Sequence, residues 1–255
     1  MILHHRLDGP EDAPVLVLGP SLGTSTELWA PQMAVLAGRY RVLRYDLPGH
    51  GEAPPPERGF TVEDLAGALV DVLDARGVGR AAYAGVSLGG AIGQAFALRA
   101  PERLASLVLV CTSPRFGGPE GWRERAALVR REGTAPLAAT APGRWFTPGF
   151  GGSGPYTDML RATDPDGYAA CCDALALFDA TARLPEIAAP TLVIAGADDP
   201  ATPVEGHADR LAAGIPGARL TVLDGASHLA GAERPAAVTE AITTHLDRTW
   251  KDPAG

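Results

Sequence analysis

The chain of 255 residues is 46% hydrophobic and 20% charged, with 30 acidic against 22 basic side chains and a formal net charge of −8. A chain of that size buries roughly three quarters of its unfolded surface as one domain, so neither disulfides nor a structural metal are needed. The acid excess disfavours nucleic acid, which takes a clustered basic face; no apolar run reaches the roughly 18 residues of a membrane span, and with no signal pattern at the N-terminus the expected location is cytoplasmic.

In chain order, short apolar runs at 15–18, 40–45, 81–86, 104–110, 191–195 and 219–223 read as strands, separated by longer amphipathic stretches. That alternation predicts βαβ units and a mostly parallel, doubly wound α/β sheet covered on both faces by helices. Between Ser113 and about Pro190 the alternation stops. Gly and Pro cluster there among helical pieces at 122–131 and 168–178. A helical insertion cannot extend the sheet, so the expected organisation is a core over 1–113, a helical lid over 114–189 and a resumed core over 190–255, ending in a helix at 236–247. Three cysteines, two of them the adjacent Cys171 and Cys172, have no ligand-like spacing, so no disulfide, metal site or other cofactor is expected. Cys171 and Cys172 read as apolar packing residues.

The run at 81–86 leads into Gly85-Val86-Ser87-Leu88-Gly89-Gly90 and then a helical stretch at 91–100. A serine at such a strand-turn-helix junction is pushed into the open, and the tight turn leaves no room for Cβ atoms two positions to either side. A serine hydroxyl is a poor nucleophile without a histidine to take its proton and an acid to hold that histidine. Both follow in order. Thr191 to Ala195 runs into Gly196-Ala197-Asp198-Asp199-Pro200, and Leu220 to Leu223 into Asp224-Gly225-Ala226-Ser227-His228. The order Ser87, Asp199, His228 is the one expected of the α/β-hydrolase fold, with Asp199 chosen over its neighbour Asp198 because Gly-x-x-Asp before Pro is the usual turn. Cys111 and Thr112 occupy the alternative place for the acid. Oxyanion donors would be the amides of Leu88 and of a residue in Gly19-Pro20-Ser21-Leu22-Gly23; Pro20 has no N–H, leaving Ser21 first and Leu22 as the alternative. His50, in Asp46-Leu47-Pro48-Gly49-His50-Gly51, reads as a loop anchor, and His4 and His5 as structural. His207 and His245 read as surface residues of helices.

These motifs carry a closer resemblance. The chain resembles the 3-oxoadipate enol-lactonases along nearly its whole length, through Leu43-Arg44-Tyr45-Asp46, Gly49-His50-Gly51, Gly85 to Gly90, Ala100-Pro101-Glu102-Arg103 and Leu107 to Thr112. In the lid, Arg144-Trp145-Phe146-Thr147-Pro148 and Gly167-Tyr168-Ala169-Ala170-Cys171-Cys172 match, followed by Asp199-Pro200-Ala201-Thr202-Pro203. Gly19-Pro20-Ser21, Leu47-Pro48 and Ala230-Gly231-Ala232 depart from the family pattern. The resemblance implies a serine hydrolase that opens a small anionic enol-lactone to 3-oxoadipate, in the β-ketoadipate route of aromatic breakdown. It needs a cation for the substrate carboxylate: Arg144 is first choice, with Arg130 and Arg131 behind it, and Trp145 and Leu22 as further substrate contacts. The same residues would also suit a carboxylesterase, a C–C bond hydrolase or a non-catalytic receptor on this fold. Oligomeric state is not legible.

Overall fold

The computed structural model describes residues 3–250. Among them are the strands β1 (His5–Asp8), β2 (Val15–Gly19), β3 (Arg41–Tyr45), β4 (Ala81–Val86), β5 (Leu104–Val110), β6 (Thr191–Gly196) and β7 (Arg219–Leu223). They form one sheet in the order β1-β3-β2-β4-β5-β6-β7. β1 runs antiparallel to β3, and every other pairing is parallel. The expected doubly wound α/β architecture is therefore the observed one.

Every residue of β2, β4, β5 and β6 is buried, as continuous apolar strands should be when helices cover both faces. The helix Val62–Ala75 starts at a capping box between Thr61 and Asp64 and turns Val62, Leu65, Leu69, Val72 and Leu73 inward at helical spacing. β7 differs from the buried strand its sequence predicts. It is the sheet's edge, paired with β6 alone, and Leu220 and Val222 are 37% and 42% exposed. The half-exposed His-Arg-Leu-Asp of β1 was not among the predicted strands.

Between β5 and β6 stand the helices Pro119–Glu132, Ala135–Thr140, Pro142–Trp145, Gly154–Ala162 and Pro165–Leu177, with no strand among the described residues. This segment lies on the loops that leave the strands. The Asp164 amide donates to the Gly49 carbonyl at 2.8 Å and the Leu229 amide to the Trp145 carbonyl at 3.0 Å. Gly167 packs so closely on the loop after β3 that a Cβ there would stand 2.6 Å from the Gly49 Cα. Cys171 and Cys172 are buried in the helix Pro165–Leu177, and Cys111 is buried just past β5.

Two histidines depart from the sequence expectation. His245 is only 6% exposed, because it follows Ile242 by three on the inward face of the helix Pro235–Thr249, and its Nε2 donates to the Pro190 carbonyl at 3.2 Å. His207 is half-buried, its Nδ1 2.8 Å from the Ser113 hydroxyl. Burial lowers both pKa values below the ordinary histidine range. Only the packing of neighbouring elements could have placed them inside.

Candidate active site

Ser87 sits between the last residue of β4 and the first of the helix Leu88–Arg99, at φ 55° and ψ −113°. A non-glycine residue held at positive φ costs on the order of 1–3 kcal/mol and persists only where its surroundings impose it. Here both backbone groups are tied down: the Ser87 amide donates to the Val110 carbonyl at 3.0 Å, while its carbonyl accepts from the Ala91 amide at 3.1 Å and the Thr112 hydroxyl at 2.6 Å. The flanking glycines have a steric cause. A Cβ at Gly85 would meet the Gly89 carbonyl at 2.4 Å, and one at Gly89 would meet the Gly19 carbonyl at 2.6 Å and the Pro20 oxygen at 2.7 Å.

That last contact sets the elbow against the loop after β2, and buried polar groups hold the two together. Tyr83 donates its hydroxyl proton to the Gly89 carbonyl at 2.6 Å, so Tyr45, 2.8 Å away, must donate to Tyr83. The Trp29 indole donates to the Gly19 carbonyl at 3.1 Å. Ser21 and Leu22 are buried in this loop at 2% and 6% exposure. His50 anchors its other end: Nδ1–H donates to the Pro48 carbonyl at 3.0 Å, so Nε2 accepts from the Gly23 amide at 3.1 Å. Burial, partly offset by the Pro48 carbonyl, lowers the His50 pKa to about 4, so the ring stays neutral and its basic nitrogen is occupied. The Leu88 amide belongs to the first residue of its helix, where N–H groups lack an intrahelical acceptor.

Asp199 and His228 meet from the turns after β6 and β7. His228 Nδ1–H donates to Asp199 Oδ2 at 2.8 Å, with both side chains almost wholly buried. The carboxylate is saturated: Oδ1 accepts from the Ala201 and Thr202 amides at 2.8 and 3.0 Å, and Oδ2 also accepts from the Thr202 hydroxyl at 2.7 Å. Burial alone would raise the carboxyl, but the His228 ring, its hydrogen bond and the Thr202 donors outweigh it, bringing the pKa down to about 2. With Nδ1 as donor, Nε2 keeps its lone pair for another proton. Asp198 is exposed and takes no part.

Ser87 and His228 are linked through Cys111, whose chain follows the Val110 carbonyl bonded to Ser87 and whose Sγ contacts the Ser227 carbonyl at 3.6 Å. No hydrogen bond among the described residues joins the Ser87 hydroxyl to the His228 ring. A groove of about 780 Å³ between Ser25, Pro31, Tyr156 and Met159 contains none of these residues, and Ser87 is buried at 8% exposure.

Trp145 is buried at 8% exposure, and its carbonyl accepts from the residue after His228. Arg144 is exposed, yet burial of its head group and the nearby Arg125 both push its pKa below the usual arginine range. Among the described residues neither Arg144 nor Arg125 pairs with a carboxylate, whereas Arg130 pairs with Asp173 at 2.6 Å and Arg131 with Glu132 at 2.7 Å. Arg125 rests over the Trp122 ring, 5.0 Å from its centroid. Sequence reasoning passed over Arg125, Thr202 and Glu233. The Asp-Pro-Ala-Thr turn could have flagged Thr202, as a hydroxyl three residues after an aspartate folds back onto it; nothing local distinguishes the other two. Among the described residues, no group of His, Cys, Asp and Glu could hold a metal ion, and no helix is long and apolar enough to cross a membrane.

A family model described as the Alpha/beta hydrolase family matches residues 15–241. The 3-oxoadipate enol-lactonase 2 of Acinetobacter baylyi is 36% identical over 251 residues, covering 96% of this chain and 93% of that protein. The crystal structure of the enol-lactonase from Burkholderia xenovorans superposes with a TM-score of 0.92 at 38% identity over 96% of each chain. A proposed carbamate hydrolase, RutD, of Stutzerimonas stutzeri is 30% identical over 265 residues and 96% of each chain.

Proposed function

Because this chain belongs to the alpha/beta hydrolase family, an enzyme of ester-bond hydrolysis, we propose that it opens 3-oxoadipate enol-lactone to 3-oxoadipate with Ser87, His228 and Asp199 as its triad. The reading is supported by the 2.8 Å bond from His228 to a fully satisfied Asp199, together with a serine held at positive φ between two glycines that have no room for a Cβ. His228 Nε2 takes the Ser87 proton as Oγ attacks the ring carbonyl. The amides of Leu88 and Ser21, with Leu22 as the alternative, receive the oxyanion. The C–O bond to the ring oxygen breaks, His228 returns its proton to that oxygen, and the enol so released tautomerises to the ketone. Water, activated by the same histidine, then frees Ser87. Contact between Ser87 and His228 is closed by substrate, since such bonds are often long in an empty site.

The whole-protein charge of −8 repels an anionic lactone, but salt confines that field to about 8 Å, and Arg144 and Arg125, which pair with no carboxylate among the described residues, offset it locally. Arg144 remains the first choice for the carboxylate, with Trp145 and Leu22 against the ring. Arg125 joins it in place of Arg130 and Arg131, which are neutralised by their own partners.

The likeness to RutD supports a second reading, hydrolysis of a carbamate by the same triad. A panel of the enol-lactone, aryl esters, vinylogous diketones and a carbamate separates them. The lactone should be turned over with the highest kcat/KM, and Ser87→Ala should abolish both turnover and labelling by a serine-directed phosphonate. A carbamate or diketone as the best substrate would overturn the lactone; absence of any turnover or labelling in the wild type would overturn the hydrolase chemistry.

A further inference from the structure

The residues on either side of His228 are both tied to one strip of the helical segment, one directly and the other through Glu233. After it, the Leu229 amide donates to the Trp145 carbonyl at 3.0 Å. Before it, the Ser227 amide donates to Glu233 Oε2 at 2.6 Å, and the other oxygen of that carboxylate, Oε1, accepts from the Thr147 amide at 2.8 Å and the Thr147 hydroxyl at 2.6 Å. Three donors thus converge on one partly buried carboxylate, and each is a charge-assisted bond of the stronger kind. The loop is also tied at Ala226, whose carbonyl accepts from the Asp198 amide at 3.0 Å, and through the His228 ring on Asp199. At Ser227 itself the hydroxyl is buried without a hydrogen-bond partner and the carbonyl has only the weak thiol contact from Cys111, so Glu233 is the anchor of that residue.

We propose that Glu233 is a positioning residue which locks the His228 loop to the strip 145–147, so that the residues facing the substrate and the general base are set as one body. The geometry requires a carboxylate. An amide in its place presents N–H₂ either to the Ser227 N–H or to the two donors of Thr147, and whichever side it faces loses its acceptor. Asp, shorter by one methylene, cannot span both sides. A general base displaced by about 1 Å can cost up to about 100-fold in rate, without any loss of substrate contacts.

This inference rests on the proposed roles of Ser87 and His228 but not on the identity of the lactone, so the assay uses a neutral aryl ester and phosphonate labelling. Glu233→Gln should lower kcat by about 10-fold or more with KM within twofold, and slow labelling of Ser87 to the same degree. Thr147→Val, which keeps the amide and removes only the hydroxyl, should cost about threefold. The double variant should be no slower than Glu233→Gln alone, because the two changes remove a shared bond. Amide exchange at Ser227, followed by NMR, should accelerate at least tenfold in Glu233→Gln, a readout independent of activity.

A folded Glu233→Gln protein with wild-type kcat and labelling rate would overturn the proposal, as would a lower melting temperature with kinetics unchanged. If Glu233→Gln does not fold, wild-type kcat in Thr147→Val overturns it instead. Wild-type protein that neither turns over ester nor labels refutes the proposed chemistry, while the Ser227 exchange rate still decides whether Glu233 holds the loop.

Discussion

Asp199→Asn should separate the role of the carboxylate from its packing. The amide is isosteric, and its oxygen can keep the bonds from the Ala201 and Thr202 amides. Its nitrogen then stands where Oδ2 accepts from Thr202 and His228. The Thr202 hydroxyl can rotate to accept, but the imidazole must turn its Nδ1 lone pair to the amide, which moves the ring proton to Nε2. The base is then blocked where it faces Ser87. The same tautomer change in serine proteases costs about 10⁴-fold in kcat, or about 5.5 kcal/mol of transition-state stabilisation. Stability falls by less. A folded pKa of about 2 against 3.8 for a free carboxyl amounts to about 2 kcal/mol, present at neutral pH and lost as pH falls from 3.8 through about 2. The variant therefore stays folded at pH 7. Aryl-ester hydrolysis beside urea unfolding tests both figures, and ¹⁵N shifts of the His228 ring report the tautomer. More than a tenth of wild-type kcat in the Asn variant would refute the reasoning.

Gly89→Ala places a methyl 2.6 Å from the Gly19 carbonyl, which Trp29 holds in place, so it should destabilise by about 1–3 kcal/mol and lower kcat about 100-fold as the oxyanion loop shifts; thermal unfolding and turnover of the same sample check it. His50, held at about 4 against 6.5 when unfolded, should make stability fall by about 3 kcal/mol as pH drops from 6.5 through 4, with His207 and His245 adding in the same direction. Urea titrations across that range should show a shallower slope in His50→Gln; an identical slope would remove His50 as a source. Arg144→Ala and Arg125→Ala should each raise KM for the lactone about tenfold or more while leaving a neutral aryl ester unaffected, matching the roughly 1.5–3 kcal/mol of a charge-assisted bond. An unchanged lactone KM in either variant removes that arginine from the carboxylate site.

What the sequence determined by itself was what repeats or is strictly local. Apolar runs announced six of the seven strands; in β2, β4, β5 and β6 burial on both faces leaves little room for polar residues, while β3 and β7 were legible although they carry Arg or Thr. The glycines around Ser87 announced the elbow, since their Cβ atoms would collide with neighbouring backbone. Asp199 and His228, which the structure bonds to each other, were legible because each lies in the turn that follows such a run. β1 was not, because an edge strand paired on one side tolerates His, Arg and Asp alternating with a single Leu. Tertiary structure alone decided the groups whose meaning lies in a distant partner. His245 is inside because the last helix turns that face toward Pro190, 55 residues earlier. Arg130 is neutralised by Asp173, 43 residues away, while Arg125 on the same helix meets no carboxylate among the described residues. Glu233 joins Ser227 to Thr147, 86 residues apart from it in the chain, and no local pattern encodes a contact whose partners are brought together only when the helical segment closes on the sheet.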